Sequence, residues 1–162
     1  MNLAIEDKRE RRKMIQYHKI PLEKLCYFAG LLDGEGCVRI AKLPSQSNKH
    51  KYDYRGSIQI GMTDERALKW VKANIGGNYY KGKNKIAKSK LCYNWAMQQV
   101  TAMPLLKCLA PYLIVKKEQA ICYIQFAETL NRNCGCKGLS FEIVAYREKL
   151  YQRMRKLNKK GG

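Results

Sequence analysis

Acidic residues are scarce in this chain. Against 32 Lys and Arg stand 13 Asp and Glu, a formal net charge of +19 over 162 residues. Self-repulsion of that size calls for a polyanionic partner, so nucleic acid or an anionic membrane surface is implied. Long apolar runs are also missing: nothing approaches the roughly 20 residues that span a bilayer, and no membrane partner is expected. Met1 to Ile20 lacks the apolar centre of a secretory signal, and Glu6, Asp7 and Glu10 argue against an organellar transit peptide. An intracellular product is expected, with organellar, bacterial or phage origins not distinguished. Histidine is nearly absent, with only His18 and His50, both isolated. The seven cysteines are odd in number and scattered through apolar segments, which reads as buried reduced thiols. Cys134-Gly-Cys136 has no second Cys or His pair at ligand spacing, so no zinc site is expected.

What is present suffices for one domain with a sizeable core, at 46% hydrophobic content. Residues 1–20 read as a basic extension, carrying Lys8, Arg9, Arg11, Arg12 and Lys13, and residues 21–162 as a single domain. The stretch Leu25 to Gly36 organises the rest. Leu25, Phe28, Ala29, Leu31 and Leu32 recur at helical spacing, and Pro21 with Glu23 marks a start, so a helix is expected from about Pro21 to Asp33. Ala29, Gly30 and Gly34 leave one side of it almost bare, open to close approach by another backbone. Gly34 and Gly36 are expected to end the helix with positive φ, which pushes Glu35 outward. A carboxylate on a rigid element beside a tight backbone contact suits a hard divalent cation.

After Gly36 the period changes to two. Val38 and Ile40 alternate with Cys37, Arg39 and Ala41, then a polar loop from Lys42 to Tyr52 contains Gln46 and Lys49. A second strand follows, with Ile58 and Ile60 on one side and Arg55, Ser57 and Gln59 on the other. Thr63 or Asp64 caps a helix over Glu65 to Asn74, which Gly76-Gly77 ends. A hairpin comes next: Asn78 to Lys83, a turn over Asn84 to Ser89, and a return strand over Leu91 to Met97. Three helical segments complete the chain, at Thr101 to Leu109, Lys116 to Leu130 and Phe141 to Lys156. The order predicts an α+β fold with one sheet covered on one face. The uncovered face is assigned Arg39, Arg55, Ser57, Gln59, Lys81, Lys83, Cys92 and Asn94. With this charge, that face fits along a nucleic-acid groove, where Arg, Gln and Asn pair with base edges; Gln46 and Lys49 of the loop join the candidate contacts.

Phe28-Ala29-Gly30-Leu31-Leu32-Asp33-Gly34-Glu35-Gly36 resembles the nine-residue signature of the LAGLIDADG homing endonucleases, with conservative differences at its first, fifth, seventh and eighth positions. The resemblance runs from about Leu22 to Leu130. It implies an αββαββα domain whose curved antiparallel sheet lies in the major groove of double-stranded DNA, with extra C-terminal helices here. One signature per chain implies a homodimer, joined through the helix side bearing Ala29, Gly30 and Gly34. It further implies that Glu35 and the carbonyl of Gly34 bind Mg²⁺ or Mn²⁺ for phosphodiester hydrolysis across the minor groove of a long pseudo-palindromic site. Asp33 is then a capping residue. Lys116 and Arg66 match catalytic basic positions of the family. Met62 departs from the pattern, standing where some relatives carry glutamine; Thr63 or Gln59 could substitute, or activity could be impaired. The same fold also serves intron RNA splicing factors and DNA-binding proteins without nuclease activity.

Overall fold

The computed structural model describes residues 17–46, 49–82, 90–130 and 139–159. The basic run at Lys8 to Lys13, Lys83 and the Cys134-Gly-Cys136 segment lie outside them. The elements are α1 (Leu22–Glu35), β1 (Gly36–Pro44), β2 (Tyr52–Met62), α2 (Glu65–Asn74), β3 (Asn78–Lys81), β4 (Tyr93–Gln98), a 3-10 turn (Gln99–Ala102), α3 (Met103–Leu109), α4 (Lys117–Leu130) and α5 (Phe141–Lys159). The strands form one antiparallel sheet in the order β1-β2-β4-β3. This is the expected α+β layout, although β1 runs to Pro44 and shortens the loop. The core also starts before residue 21, since Tyr17 is buried and its hydroxyl meets the Met97 sulfur. Among the described residues no helix is long and apolar enough to cross a membrane.

Alternation along the strands decides which side the helices cover. Val38, Ile58, Ile60, Trp95 and Met97 face inward and are almost completely buried. They meet Leu25, Phe28, Ala29 and Leu32 of α1, Leu68 and Val71 of α2, and Tyr123 and Phe126 of α4 in one core. Phe28 packs edge-on against Trp95, ring centroids 5.2 Å apart. The indole also fixes the end of α2. Its Nε1 donates to the Gly76 carbonyl at 2.6 Å, and Gly76 and Gly77 have φ of 91° and 80°. A Cβ on Gly77 would lie 2.6 Å from that indole nitrogen, so the position excludes any side chain.

α1 ends differently from the expectation. Gly34 is helical, Glu35 is the last helical residue, and Gly36 has φ −87° and ψ 164°, which is extended backbone. Glycine is required at 36 for space, because a Cβ there would lie 2.4 Å from Leu32 Cδ1 and 2.5 Å from the Leu32 carbonyl oxygen. Helix therefore passes into strand without an intervening loop. Three further assignments change. Ala29 is 1% exposed and belongs to the core face, since it stands one turn from both Leu25 and Leu32, which are buried there. Lys81 pairs with Tyr93, and Tyr79 with Trp95, so Lys81 is an exposed residue on the helical side of the sheet. Tyr80 and Asn78 occupy the outer face instead. Finally, Cys26 is exposed on α1, while among the described residues Cys108 and Cys122 are the buried thiols.

Candidate active site

The end of α1 holds two carboxylates in opposite conditions. Asp33 accepts hydrogen bonds from three backbone amides, those of Ile114 at 2.7 Å, Val115 at 3.2 Å and Lys116 at 2.9 Å. These amides belong to the turn entering α4, so one side chain of α1 caps the approach to another helix. Lys116 returns the contact by donating from Nζ to the Asp33 carbonyl. An ammonium at a helix C-terminus also satisfies the negative end of its dipole. Asp33 is thus a capping residue, as expected, and Lys116 meets α1 at Asp33, two residues before Glu35.

Glu35 is exposed, and no described residue hydrogen-bonds or ion-pairs with its carboxylate. Beside it, added Cβ atoms on Gly30 or Gly34 would meet nothing within 4 Å. The bare stripe therefore faces outward, flanked by Cys26 and by Leu22 and Tyr27, large apolar side chains that are about half exposed. Ile114 and Val115, whose amides grip Asp33, also leave their side chains in solvent. The donors available to a hard cation are the Glu35 carboxylate and the Gly34 carbonyl, which lies in a last turn whose carbonyls lack helical partners. No group of three or more His, Cys, Asp or Glu gathers among the described residues. One chain thus presents two oxygen donors of the kind a hard divalent cation takes.

Arg66 lies on α2 rather than beside Glu35's carboxylate. It clasps the capping Asp64, Nη2 to Oδ2 at 2.5 Å and Nε to both oxygens, while its side chain remains 87% exposed. Those hydrogen bonds hold the Asp64 carboxyl down at about 2. Arg66, Asp64, Met62, Tyr27, Ala67 and Trp70 line a shallow hollow of about 510 Å³ between α1 and α2, with Tyr27 edge-on to Trp70 at 4.7 Å. Met62 contributes apolar surface here, where a glutamine would offer hydrogen bonds.

On the outer face of the sheet, Arg39 Nε donates to Ser57 Oγ at 3.0 Å. Gln59, with its amide oxygen turned to the guanidinium, accepts from Nε at 3.1 Å and Nη2 at 3.3 Å. Gln59 is thereby occupied at a distance from Met62's side of the sheet and does not replace it. Arg55 is exposed and Asn94 half-buried on the same face. Gln46 and Lys49 are exposed in the β1-β2 loop. Sequence reasoning missed Tyr80 and Asn78 on this face; the β3-β4 register, which pairs them with Asn94 and Ala96, places them there.

A family model described as LAGLIDADG endonuclease matches residues 28–130, more than half of the chain. No curated protein matches. Among solved structures, the homing endonuclease I-CvuI, crystallised with the I-CreI target in the presence of Mg with the DNA not cleaved, is similar at 20% identity and TM-score 0.68, covering 83% of this chain and 82% of that one. The archaeal intron-encoded homing endonuclease I-Vdi141I complexed with DNA aligns at 18% identity and TM-score 0.71, covering 83% and 84%. I-GzeII in complex with its DNA target aligns at 21% identity and TM-score 0.58, covering 81% of this chain but 43% of that one. The αββαββα order, the signature helix running straight into β1 and the matching family model together place this chain in the LAGLIDADG homing endonuclease family.

Proposed function

We propose that this chain is a site-specific double-strand DNA endonuclease that acts as a homodimer with Mg²⁺ or Mn²⁺. The observation that carries the reading is Glu35: an exposed carboxylate without a partner among the described residues, fixed at the end of a helix whose adjoining face is bare. A side chain that stabilised the fold would be engaged, as Asp33 is. Two such helices face to face bring two half-sites together, with Glu35 and the Gly34 carbonyl of each copy holding the cation. When bound, the cation supplies an activated water and stabilises charge on the leaving oxygen. Asp33 fixes the helix end against the entry to α4 and thereby sets where Glu35 stands. Lys116 holds positive charge beside the scissile phosphate, and Arg66 supports phosphate charge from α2. The sheet's outer face lies along the major groove, and the net charge of +19 makes affinity fall steeply with salt.

The test is selection of cleaved sequences from a randomised duplex library in Mg²⁺. A palindromic or nearly palindromic site should emerge, cut by the wild type and bound but uncut by Glu35→Gln. Equal cutting by that variant rejects the assignment. Met62 favours a second reading, in which the fold binds DNA or intron RNA without cutting. A thioether is a poor acceptor for ordering a water. Binding of intron RNA with no nicking in Mg²⁺ would select that reading.

A further inference from the structure

Among the described strand residues, the outer face carries two basic side chains, Arg39 on β1 and Arg55 on β2. Their surroundings differ. Arg39 lies opposite Ser57 and is held at Nε by the Ser57 hydroxyl and at Nε and Nη2 by the Gln59 amide. Ser57 is left 8% exposed, although it lies on the face of the sheet away from the helices. Arg55 lies opposite Ala41, and no described residue holds its guanidinium. An arginine that only neutralises phosphate gains from reach and mobility. One that reads a base needs a fixed direction, because bidentate pairing tolerates little rotation of the fork.

We infer that Arg39 is a guanine reader, with Ser57 and Gln59 as its positioning residues, and that Arg55 is a phosphate contact. The inference rests on the proposed reading of the outer face as a DNA surface. Anchoring uses Nε and part of Nη2 and leaves the remaining Nη hydrogens as donors. Guanine offers two adjacent acceptors, O6 and N7, to such a donor pair, whereas adenine offers an acceptor beside a donor. Ser57 and Gln59, read from sequence as base contacts, instead direct their acceptor oxygens to Arg39. The topology also places the contact. β1 begins at the residue after Glu35, so Arg39 stands about 13 Å from Glu35 at a strand rise of roughly 3.3 Å per residue, or about four base-pair steps.

The experiment is a binding selection from a randomised duplex library, scored by enrichment and run beside a nicking assay in Mg²⁺. The wild type should enrich guanine at one position in each half-site, with a preference of roughly 5- to 150-fold over other bases. Arg39→Ala should lose the preference at that position and keep it elsewhere. Ser57→Ala should weaken the same preference, and Ser57→Thr, which keeps the hydroxyl, should restore it. Arg55→Ala should lower binding to all sequences alike and flatten the salt dependence. A guanine preference that survives Arg39→Ala, or a uniform loss in that variant, overturns the inference. A wild type that enriches guanine but does not nick overturns the nuclease reading and leaves the guanine assignment standing. A wild type that enriches no sequence overturns both.

Discussion

Strand β1 joins two regions that treat a carboxylate in opposite ways. Where it begins, Glu35 projects from the end of α1 without a partner among the described residues. Near its other end, Glu148 of α5 receives the Lys42 ammonium at 2.8 Å, the Tyr54 hydroxyl, and Gln152 Nε2 at 2.8 Å. Burial alone would raise the Glu148 carboxyl, but those hydrogen bonds outweigh it and hold the group at about 2; burial and the same carboxylate push the Tyr54 phenol up to about 12. Glu148 fastens the C-terminal helix to the sheet. Glu35 fastens nothing among the described residues. On the proposed reading the contrast separates charge that maintains the fold from charge kept available for chemistry, and each prediction below tests that separation.

The largest effect is expected at the free carboxylate. Glu35→Gln should reduce nicking by about 1,000-fold or more, since each 1.36 kcal/mol of lost cation binding at the transition state is tenfold in rate. Its melting temperature should match the wild type, because no internal contact is removed. A variant that melts several degrees lower would show that Glu35 has a structural role, and the comparison would fail. Asp33→Ala should do the reverse at first, costing about 2 kcal/mol by stripping the acceptor from three amides, or roughly 4–8 °C in a domain of this size. Nicking should fall with it as the ends of α1 and α4 loosen, and calorimetry beside a nicking assay separates the two effects.

The third effect is smaller and depends on pH. Glu148→Gln should cost about 1 kcal/mol, given a side chain one-third exposed and screened by solvent. Because folding lowers this carboxyl from 4.5 to about 2, its contribution is complete above roughly pH 4.5 and is lost as pH falls through that window. Urea midpoints measured between pH 6 and pH 3 should therefore converge for wild type and variant. Parallel curves would assign the acid sensitivity to other carboxylates.

Much of this arrangement is legible in the sequence where it depends on short-range periodicity. The apolar spacing from Leu25 to Leu32 finds α1, the alternation at Val38 and Ile40 finds β1, and Asp64 with Gly76-Gly77 brackets α2. The signature resemblance led to the capping role of Asp33 and to the prominence of Glu35. Contacts between distant segments were not legible. Nothing near residue 42 announces Glu148, and the grip of Ser57 and Gln59 on Arg39 depends on the β1-β2 register. Lys81 lies on the face opposite to the one expected, because counting through the hairpin does not reveal which residue pairs with Trp95. At Gly36 the constraint is the Leu32 side chain pressed against it rather than the expected positive φ.

The smallest effect bears on why Glu35 is left free. If a second copy covers the bare face of α1, the glycines there serve that contact and weaken the isolated helix. Gly30→Ala places a methyl where this chain has nothing within 4 Å, so the single chain should gain about 0.5–1 kcal/mol from helix propensity alone. The same methyl would stand between two backbones in the dimer and should shift the monomer-dimer equilibrium toward monomer. Sedimentation across a concentration series reads the second effect, and melting at low concentration reads the first. Opposite signs for the two would tie the free carboxylate to a second copy; a variant that melts higher and associates as well as the wild type would remove the dimer from the proposed mechanism and leave Glu35 without the carboxylate that completes its site.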